Sequence, residues 1–173
     1  MNFNLQPLLE NDLVSLRPLR EEDFENLLNA ASDPLIWEQH QNKLRYTLKE
    51  FTLFFKESMI SGGALLITDQ QSKNVIGSSR FKIVDEVEEV VEIGWSFLAR
   101  DYWGGFHNRA VKRLMVGYAL NFCRTVVFYV HPKNFRSQKA LEKIGAKRLN
   151  EGERSWVLPE KEGITYAISS PIE

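Results

Sequence analysis

The sequence predicts a mixed α/β fold, a central mixed and mostly antiparallel sheet with helices on both faces. Three observations carry this reading. Three strand-like runs succeed one another through short polar connections, as in an antiparallel meander. A glycine loop then opens an alternation of helix, strand and helix, which asks for a parallel crossover beside the meander. Two helical patterns ahead of the meander need a sheet face to cover. A chain of 173 residues, 43% of them apolar, supports one sizeable core, so residues 1–173 are read as a single domain.

The elements follow in order. Leu13 to Leu19, LVSLRPL, alternates as a first strand, with Pro18 at its end or on an edge. Phe24, Leu27, Leu28 and Ala31 recur at helical spacing, and Asp33-Pro34 closes that helix. The stretch from Leu35 to Tyr46 reads either as a short helix or as a loop on the substrate side. Thr47-Leu48-Lys49-Glu50 is a capping-box pattern. It opens a helix with Leu48, Phe51, Phe55 and Met59 on one face, ended by Gly62-Gly63. Strands are expected from Ala64 to Thr68, Val75 to Val84 and Val87 to Leu98.

Beyond the glycine loop, Val111, Leu114, Met115, Tyr118, Ala119 and Phe122 form one apolar helical stripe. Arg109, Lys112, Arg113 and Asn121 fall off it, on the polar face. Thr125 to Val130 is β-rich, and a further helix follows, capped by Asn134 and terminated by Gly145. Ser155 to Leu158 and Ile164 to Ile168 are strand-like. The order is β-α-α-β-β-β-α-β-α-β-β.

Composition excludes several classes. A net charge of -1 argues against broad nucleic-acid binding, and no nucleic-acid partner is expected. No apolar run reaches transmembrane length, so no membrane partner is expected either. The N-terminus lacks the basic flank and small-residue cleavage site of a secretory signal, which points to the cytoplasm. The single cysteine, Cys123, lies at the end of an apolar helix face and reads as a buried small hydrophobe. His40, His107 and His131 are widely spread and form no HExxH pair, so no metal is expected. Charge is unevenly placed. From Arg100 to Arg148 eleven Lys and Arg face two acids, Asp101 and Glu142, whereas Asp85, Glu86, Glu88, Glu89 and Glu92 crowd into DEVEEVVE. These are either two solvated patches, or an anion site and a hairpin that faces a cation.

The segment DYWGGFHNRAVKRLM, Asp101 to Met115, sets Gly104 and Gly105 directly before the basic helix. The first amides of a helix lack intrahelical partners, and with the helix dipole they favour an anion. Arg109 in the first turn opposes that dipole unless an anion is bound. The loop is therefore either a tight turn before a solvated face or a phosphate cradle. It lacks the Gly-Lys-Ser/Thr ending of a Walker loop and the spaced third glycine of a dinucleotide fingerprint.

The glycine loop and basic helix, a short strand, and then Asn-x-x-Ser-x-x-x-Leu-x-Lys-x-Gly from Asn134 to Gly145 together resemble the GNAT superfamily of N-acetyltransferases. The likeness is greatest to the branch that includes the ribosomal-protein N-terminal acetyltransferases. EIGWSFLARDYWGG resembles that branch's strand-to-loop passage, and LVSLRPLREEDFENLL its opening strand and helix. The likeness spans Leu13 to Arg148. It implies transfer of acetyl from acetyl-CoA, as co-substrate, to a primary amine of a small molecule or peptide N-terminus, by direct attack in a ternary complex. A homodimer is implied by family habit alone. Two departures motivate an alternative, a non-catalytic acyl-CoA-binding or regulatory module. The family's loop reads Arg/Gln-x-x-Gly-x-Gly/Ala, against Trp103-Gly104-Gly105-Phe106-His107-Asn108 here, and Leu141 stands where many relatives carry tyrosine.

The resemblance implies site residues, each beside a plainer reading. Trp103, Gly104, Gly105, Phe106, His107, Asn108 and Arg109 would hold the coenzyme A pyrophosphate, with side chains of Asn108 and Arg109 replacing lost backbone contacts. Gly94 and Trp95 would offer a backbone N–H to the thioester carbonyl. Glu92, in the otherwise apolar VVEIGWSF, is the candidate base, acting through a bridging water. It faces away from Val91, Ile93, Trp95 and Phe97, and burial would raise its pKa toward a useful value. Otherwise it is a carboxylate at the wet end of an acidic hairpin. Ser137 is the candidate acid, or at least a contact to the thiol end of the coenzyme, or else a first-turn hydroxyl satisfying its own backbone. Asn134 meets pantetheine amides, caps its helix, or does both. Arg136 and Lys139 reach the 3′-phosphate or are solvated. Trp37, His40 and Tyr46 fall where relatives line the acceptor pocket, Trp37 with core packing as its plainer role.

Overall fold

Val14 and Leu16 are buried while the residues between and after them are not, so alternation seats strand β2 (Val14–Pro18) with one face on the core and Pro18 at its last position. The computed structural model describes residues 1–150, 153 and 163–172. Among these, one eight-stranded sheet runs in the order β1-β2-β3-β4-β5-β6-β8-β7. Its other strands are β1 (Leu9–Glu10), β3 (Ala64–Asp69), β4 (Val75–Asp85), β5 (Val90–Leu98), β6 (Thr125–Val130), β7 (Lys147–Arg148) and β8 (Ile164–Ile168). Every neighbouring pair is antiparallel except β5 and β6, which are parallel. The meander and the crossover are thus both present, and the fold class is the one the sequence predicts.

Helices cover both faces. α1 (Phe24–Ala31) and α2 (Leu48–Ile60) pack through Leu27, Phe51 and Phe54 onto Leu66 and Phe97. α3 (His107–Ala119) and α4 (Phe135–Lys143) pack through Val111, Met115 and Leu141 onto Val91, Ile93 and Val126. Burying one such side chain stabilises the fold by about 1.5–3 kcal/mol. At the start of α2, Thr47 accepts from the Glu50 N–H at 3.5 Å. The Glu50 carboxylate accepts from Asn42 Nδ2 at 2.9 Å, which ties the preceding segment to the helix.

Two features of β5 shape the site. The parallel ladder pairs Val90, Val91 and Glu92 with Thr125, Val126 and Val127, and stops there. β6 continues against β8 to Val130, so β5 and β6 part beyond Glu92 and leave a cleft. In the same stretch the register to β4 shifts, from Ser78 opposite Phe97 to Arg80 opposite Gly94, so Trp95 and Ser96 face the single residue Ser79. This is a β-bulge. Trp95 takes φ 51°, a left-handed conformation that costs a non-glycine residue roughly 1–2 kcal/mol. The Arg80 guanidinium, 4.4 Å from the centre of the Trp95 ring, offsets part of it.

The bulge corrects one expectation. Val91 and Ile93 lie in one core, as alternation from Glu92 requires, but Trp95 and Phe97 pack in the other. The extra residue reverses the facing, so Glu92 shares a sheet side with Trp95 and Phe97.

Other differences have local causes. β5 begins at Val90 and not at Val87, because Asp85 Oδ1 accepts from the Val87 and Glu88 amides, at 2.8 and 3.0 Å, and closes a turn. The two-residue strands β1 and β7 are too short to carry a period. Ser155 to Leu158 lies outside the described residues. On α3, Tyr118 and Phe122 turn toward the N-terminal segment, where the Phe3 ring sits 5.4 and 6.0 Å from theirs. Lys112, expected on the polar face, is buried. Cys123 is buried as read, and desolvation pushes its thiol up to about 11.

Candidate active site

Two cavities open where β5 and β6 part. The outer one, about 610 Å³, lies between the glycine loop, α3 and α4. The inner one, about 330 Å³, lies between the ends of β5 and β6 and the segment from His40 to Arg45. His40, Ser96, Asn108, Ser137 and Ala140 line both, which marks where the two meet.

The outer cavity is lined by a glycine loop, a helix start and several cations. A one-turn 3-10 helix, Arg100–Tyr102, ends at Trp103, whose indole N–H donates to Leu98 O at 2.9 Å. Gly104 then takes φ +70°, with open space where a β-carbon would stand. The amide of Ala110, bonded to Phe106 O at 2.8 Å, starts the helical ladder. The amides from Gly104 to Asn108 come before it, where a helix leaves its donors for an external partner. Arg109, Lys139 and Lys143 line the cavity, and no carboxylate does so among the described residues. This combination of amides, cations and open loop fits the diphosphate of coenzyme A.

Not every side chain of the loop turns inward. His107 Nε2 lies 3.0 Å from Asp69 Oδ1, and its ring meets Tyr102 edge-on at 4.9 Å. Only its backbone remains with the loop. The Asp69 carboxyl is held below the usual range, first by hydrogen bonds from the Ser72 amide and hydroxyl and then by His107.

On the α4 side, Asn134 is buried and its Oδ1 accepts from the Ser137 N–H at 3.1 Å, capping the helix while lining the inner cavity. Ser137 lines both cavities where they meet. Leu141 is buried in the core, so no phenol stands there. Arg136 is not a solvated charge. Its guanidinium lies 4.0 Å over the Trp103 ring, Nη2 donates to Ile36 O at 2.8 Å, and Nη1 is 3.4 Å from Glu38 Oε1. It thus joins the glycine loop, α4 and the segment after α1.

In the inner cavity Glu92 is 4% exposed and stands on the last rung of the parallel ladder. A β-carbon on Gly94 would come within 3.0 Å of Glu92 Oε1, so the missing side chain is what lets the carboxylate fold along the strand. Lys112 reaches the same cavity. Its Nζ donates to Ser96 Oγ at 3.0 Å and lies 5.1 Å from the Phe128 ring, and desolvation pulls its pKa down to about 8. Lys112 and Asn108 are one helical turn apart and both line this cavity, a spacing that could have flagged the lysine.

The segment before α2 is a 3-10 turn, Pro34–Ile36, followed by turns. Trp37 is core, with its indole N–H on Ala31 O at 2.8 Å, and Tyr46 packs on the same cluster. Of the three residues expected near the acceptor, His40 lines the cavities, and Arg45 joins it unforeseen. Burial first, and then Arg45, Arg136 and His131, lower the His40 pKa to about 4.

A sheet parted at its parallel pair, with a helix start and cations on one side of the gap and a buried carboxylate on the other, fits an acyl transferase with a nucleotide-borne donor. Residues 14–147 match the acetyltransferase (GNAT) domain family, and the chain belongs to it. It is in class an acetyl-CoA-dependent N-acetyltransferase. The chain is 26% identical over 144 residues to the uncharacterized N-acetyltransferase p20 of Bacillus licheniformis, covering 79% of this chain and 80% of that protein. Its fold is that of a GCN5-related N-acetyltransferase from Brucella melitensis, with a TM-score of 0.78 at 19% identity over 98% of this chain and 83% of that one. It is similar also to Mycobacterium smegmatis RimJ in complex with CoA-disulfide, with a TM-score of 0.69 at 15% identity over 95% and 87% of the two chains. No helix among the described residues is long and apolar enough to cross a membrane. Among them, too, no three His, Cys, Asp or Glu side chains gather as a metal site would require.

Proposed function

We propose that this transferase acetylates a primary amine, on a small molecule or a peptide N-terminus, by direct attack in a ternary complex, with Glu92 accepting the amine proton. One observation carries the reading. Among the described residues, an outer cavity lined by cations and no acid meets an inner cavity whose one carboxylate is Glu92.

The amides from Gly104 to Asn108 and the side chain of Arg109 would hold the coenzyme A pyrophosphate, beside Trp103. Asn134 would meet the pantetheine amides, and Lys139 the 3′-phosphate. Acetyl-CoA, when bound, supplies an acetyl group activated as a thioester. Gly94 and Trp95, at the bulge, would present a backbone donor to its carbonyl oxygen. Glu92 takes the proton that the attacking nitrogen must lose, through a water, as its place within the apolar strand allows. The Ser137 hydroxyl, at the junction, would protonate the departing sulfur, since Leu141 cannot.

The test is release of free thiol from acetyl-CoA over a panel of amines and N-terminal peptides, with the parent protein and Glu92→Gln. Parent turnover should fall about 10²–10⁴-fold in the variant, with coenzyme A affinity unchanged by calorimetry. Full turnover of Glu92→Gln across pH would remove the base. Coenzyme A binding with no thiol released for any amine would favour the non-catalytic acyl-CoA module.

A further inference from the structure

We propose that the acceptor is an amine that also carries an anionic group, a carboxylate or a phosphoryl group, and that Arg45 binds this group in the inner cavity. The inference rests on the acetyltransferase reading above and names the substrate class it left open.

Arg45 stands in the turn before α2 and lines the inner cavity. Its guanidinium lies 5.2 Å from the Trp37 ring centre and 4.8 Å from that of Phe54. Aromatic contact fixes the plane of the group without using its N–H donors. Its Nε is buried with no hydrogen-bond partner among the described residues. No carboxylate among them lies within ion-pair distance of it. An unmet buried donor is costly, and a planar fork held this way matches the two oxygens of a carboxylate or phosphate.

The surroundings have the same sign. Arg45, Arg136 and His131 are close enough to His40 to help hold it neutral. The acids that temper Arg45 are Glu57 and Glu50 on α2. Glu57 is exposed, and Glu50 already accepts from Asn42. Glu92, on β5, lines the same cavity. The one cavity therefore holds a group equipped to take a proton from an amine and another equipped to neutralise an anion. The acidic turn from Asp85 to Glu89 cannot recruit a cationic acceptor here. It lies at the opposite end of β5 from the bulge, Asp85 closes its own turn, and Glu89 pairs with Arg124 at 2.9 Å.

The experiment compares matched acceptors in the thiol-release assay and in calorimetry on the coenzyme A-loaded protein. The pairs are glycine with glycinamide and O-phosphoethanolamine with ethanolamine, and spermidine is the cationic control. The anionic member of at least one pair should bind and react at least about tenfold better, and which pair responds distinguishes carboxylate from phosphoryl. Arg45→Met should abolish that preference by raising KM for the anionic member about 10–100-fold, with its neutral partner nearly unchanged. Arg45→Lys should restore part of it. Neutral or cationic amines reacting as well as anionic ones, or a preference that survives Arg45→Met, would overturn the inference and leave the acetyltransferase reading intact. Absence of thiol release with every amine would overturn both.

Discussion

Oε1 of Glu92 lies 3.0 Å from the point that a β-carbon on Gly94 would occupy. The two residues share one side of β5, two positions apart, immediately before the bulge. Gly94→Ala should displace the carboxylate by a few tenths of an ångström and leave the outer cavity alone. We expect kcat for thiol release to fall roughly tenfold, since small misplacements of a reacting group are costly, with an unchanged Kd for coenzyme A. A parallel loss of coenzyme A affinity would mean that the strand itself had moved.

The glycine loop predicts the opposite split. Arg109→Glu reverses a charge in the first turn of α3, beside the amides from Gly104 to Asn108. Coenzyme A affinity measured by calorimetry should drop at least about tenfold and become less sensitive to salt. Gly104→Ala meets no atom within 4 Å, so its effect is the strain of φ +70° alone, about 1–2 kcal/mol against the loop. An Arg109→Glu protein with parental affinity would remove the anion site.

His40 sets an acid limit to stability. Its folded pKa, about 4, lies below the ordinary 6.5, because burial disfavours the charged ring and neighbouring Arg45, Arg136 and His131 add to that. The unfolded chain therefore takes up the proton first, and stability is lost as pH falls from 6.5 through 4. The loss amounts to roughly 3 kcal/mol when complete. His40→Gln should flatten this part of the stability profile, as followed by urea unfolding at successive pH values. An unchanged slope would show that carboxylates alone govern acid unfolding.

Lys112 acts at the alkaline side. Its folded pKa, about 8, is below the ordinary 10.5, so between these values the unfolded chain holds more protons and stability rises with pH. Near pH 7 the buried ammonium is charged, and its Nζ donates to Ser96 Oγ. Lys112→Met keeps the stem and removes the charge. It should be more stable at pH 7 by roughly 2 kcal/mol, read as a higher Tm, and the gain should vanish above about pH 10.5. A destabilised variant at pH 7 would mean that the Ser96 contact outweighs desolvation.

Periodicity and local chemistry in the sequence determined the element order, the meander followed by a crossover, and the glycine loop at a helix start. These depend on residues a few positions apart, such as Asn134 and the Ser137 amide it caps or the even spacing of Val91 and Ile93. The family was legible for the same reason, since its motifs are contiguous. Only the tertiary structure decided which side chains meet. The bulge at Trp95 inserts one residue against Ser79 and reverses the facing of the strand, and no alternation rule can anticipate a register shift set by a neighbouring strand. Lys112 looked solvated because a helical stripe assumes one buried face, whereas α3 lies over a sheet that parts beneath it. Arg45 came from a segment with no period at all, and its position over Trp37 and Phe54 exists only because α2 and the core bring those rings to it. Local patterns fix elements because their interactions are local; the acceptor end of the site is assembled from distant segments, and packing alone sets its chemistry.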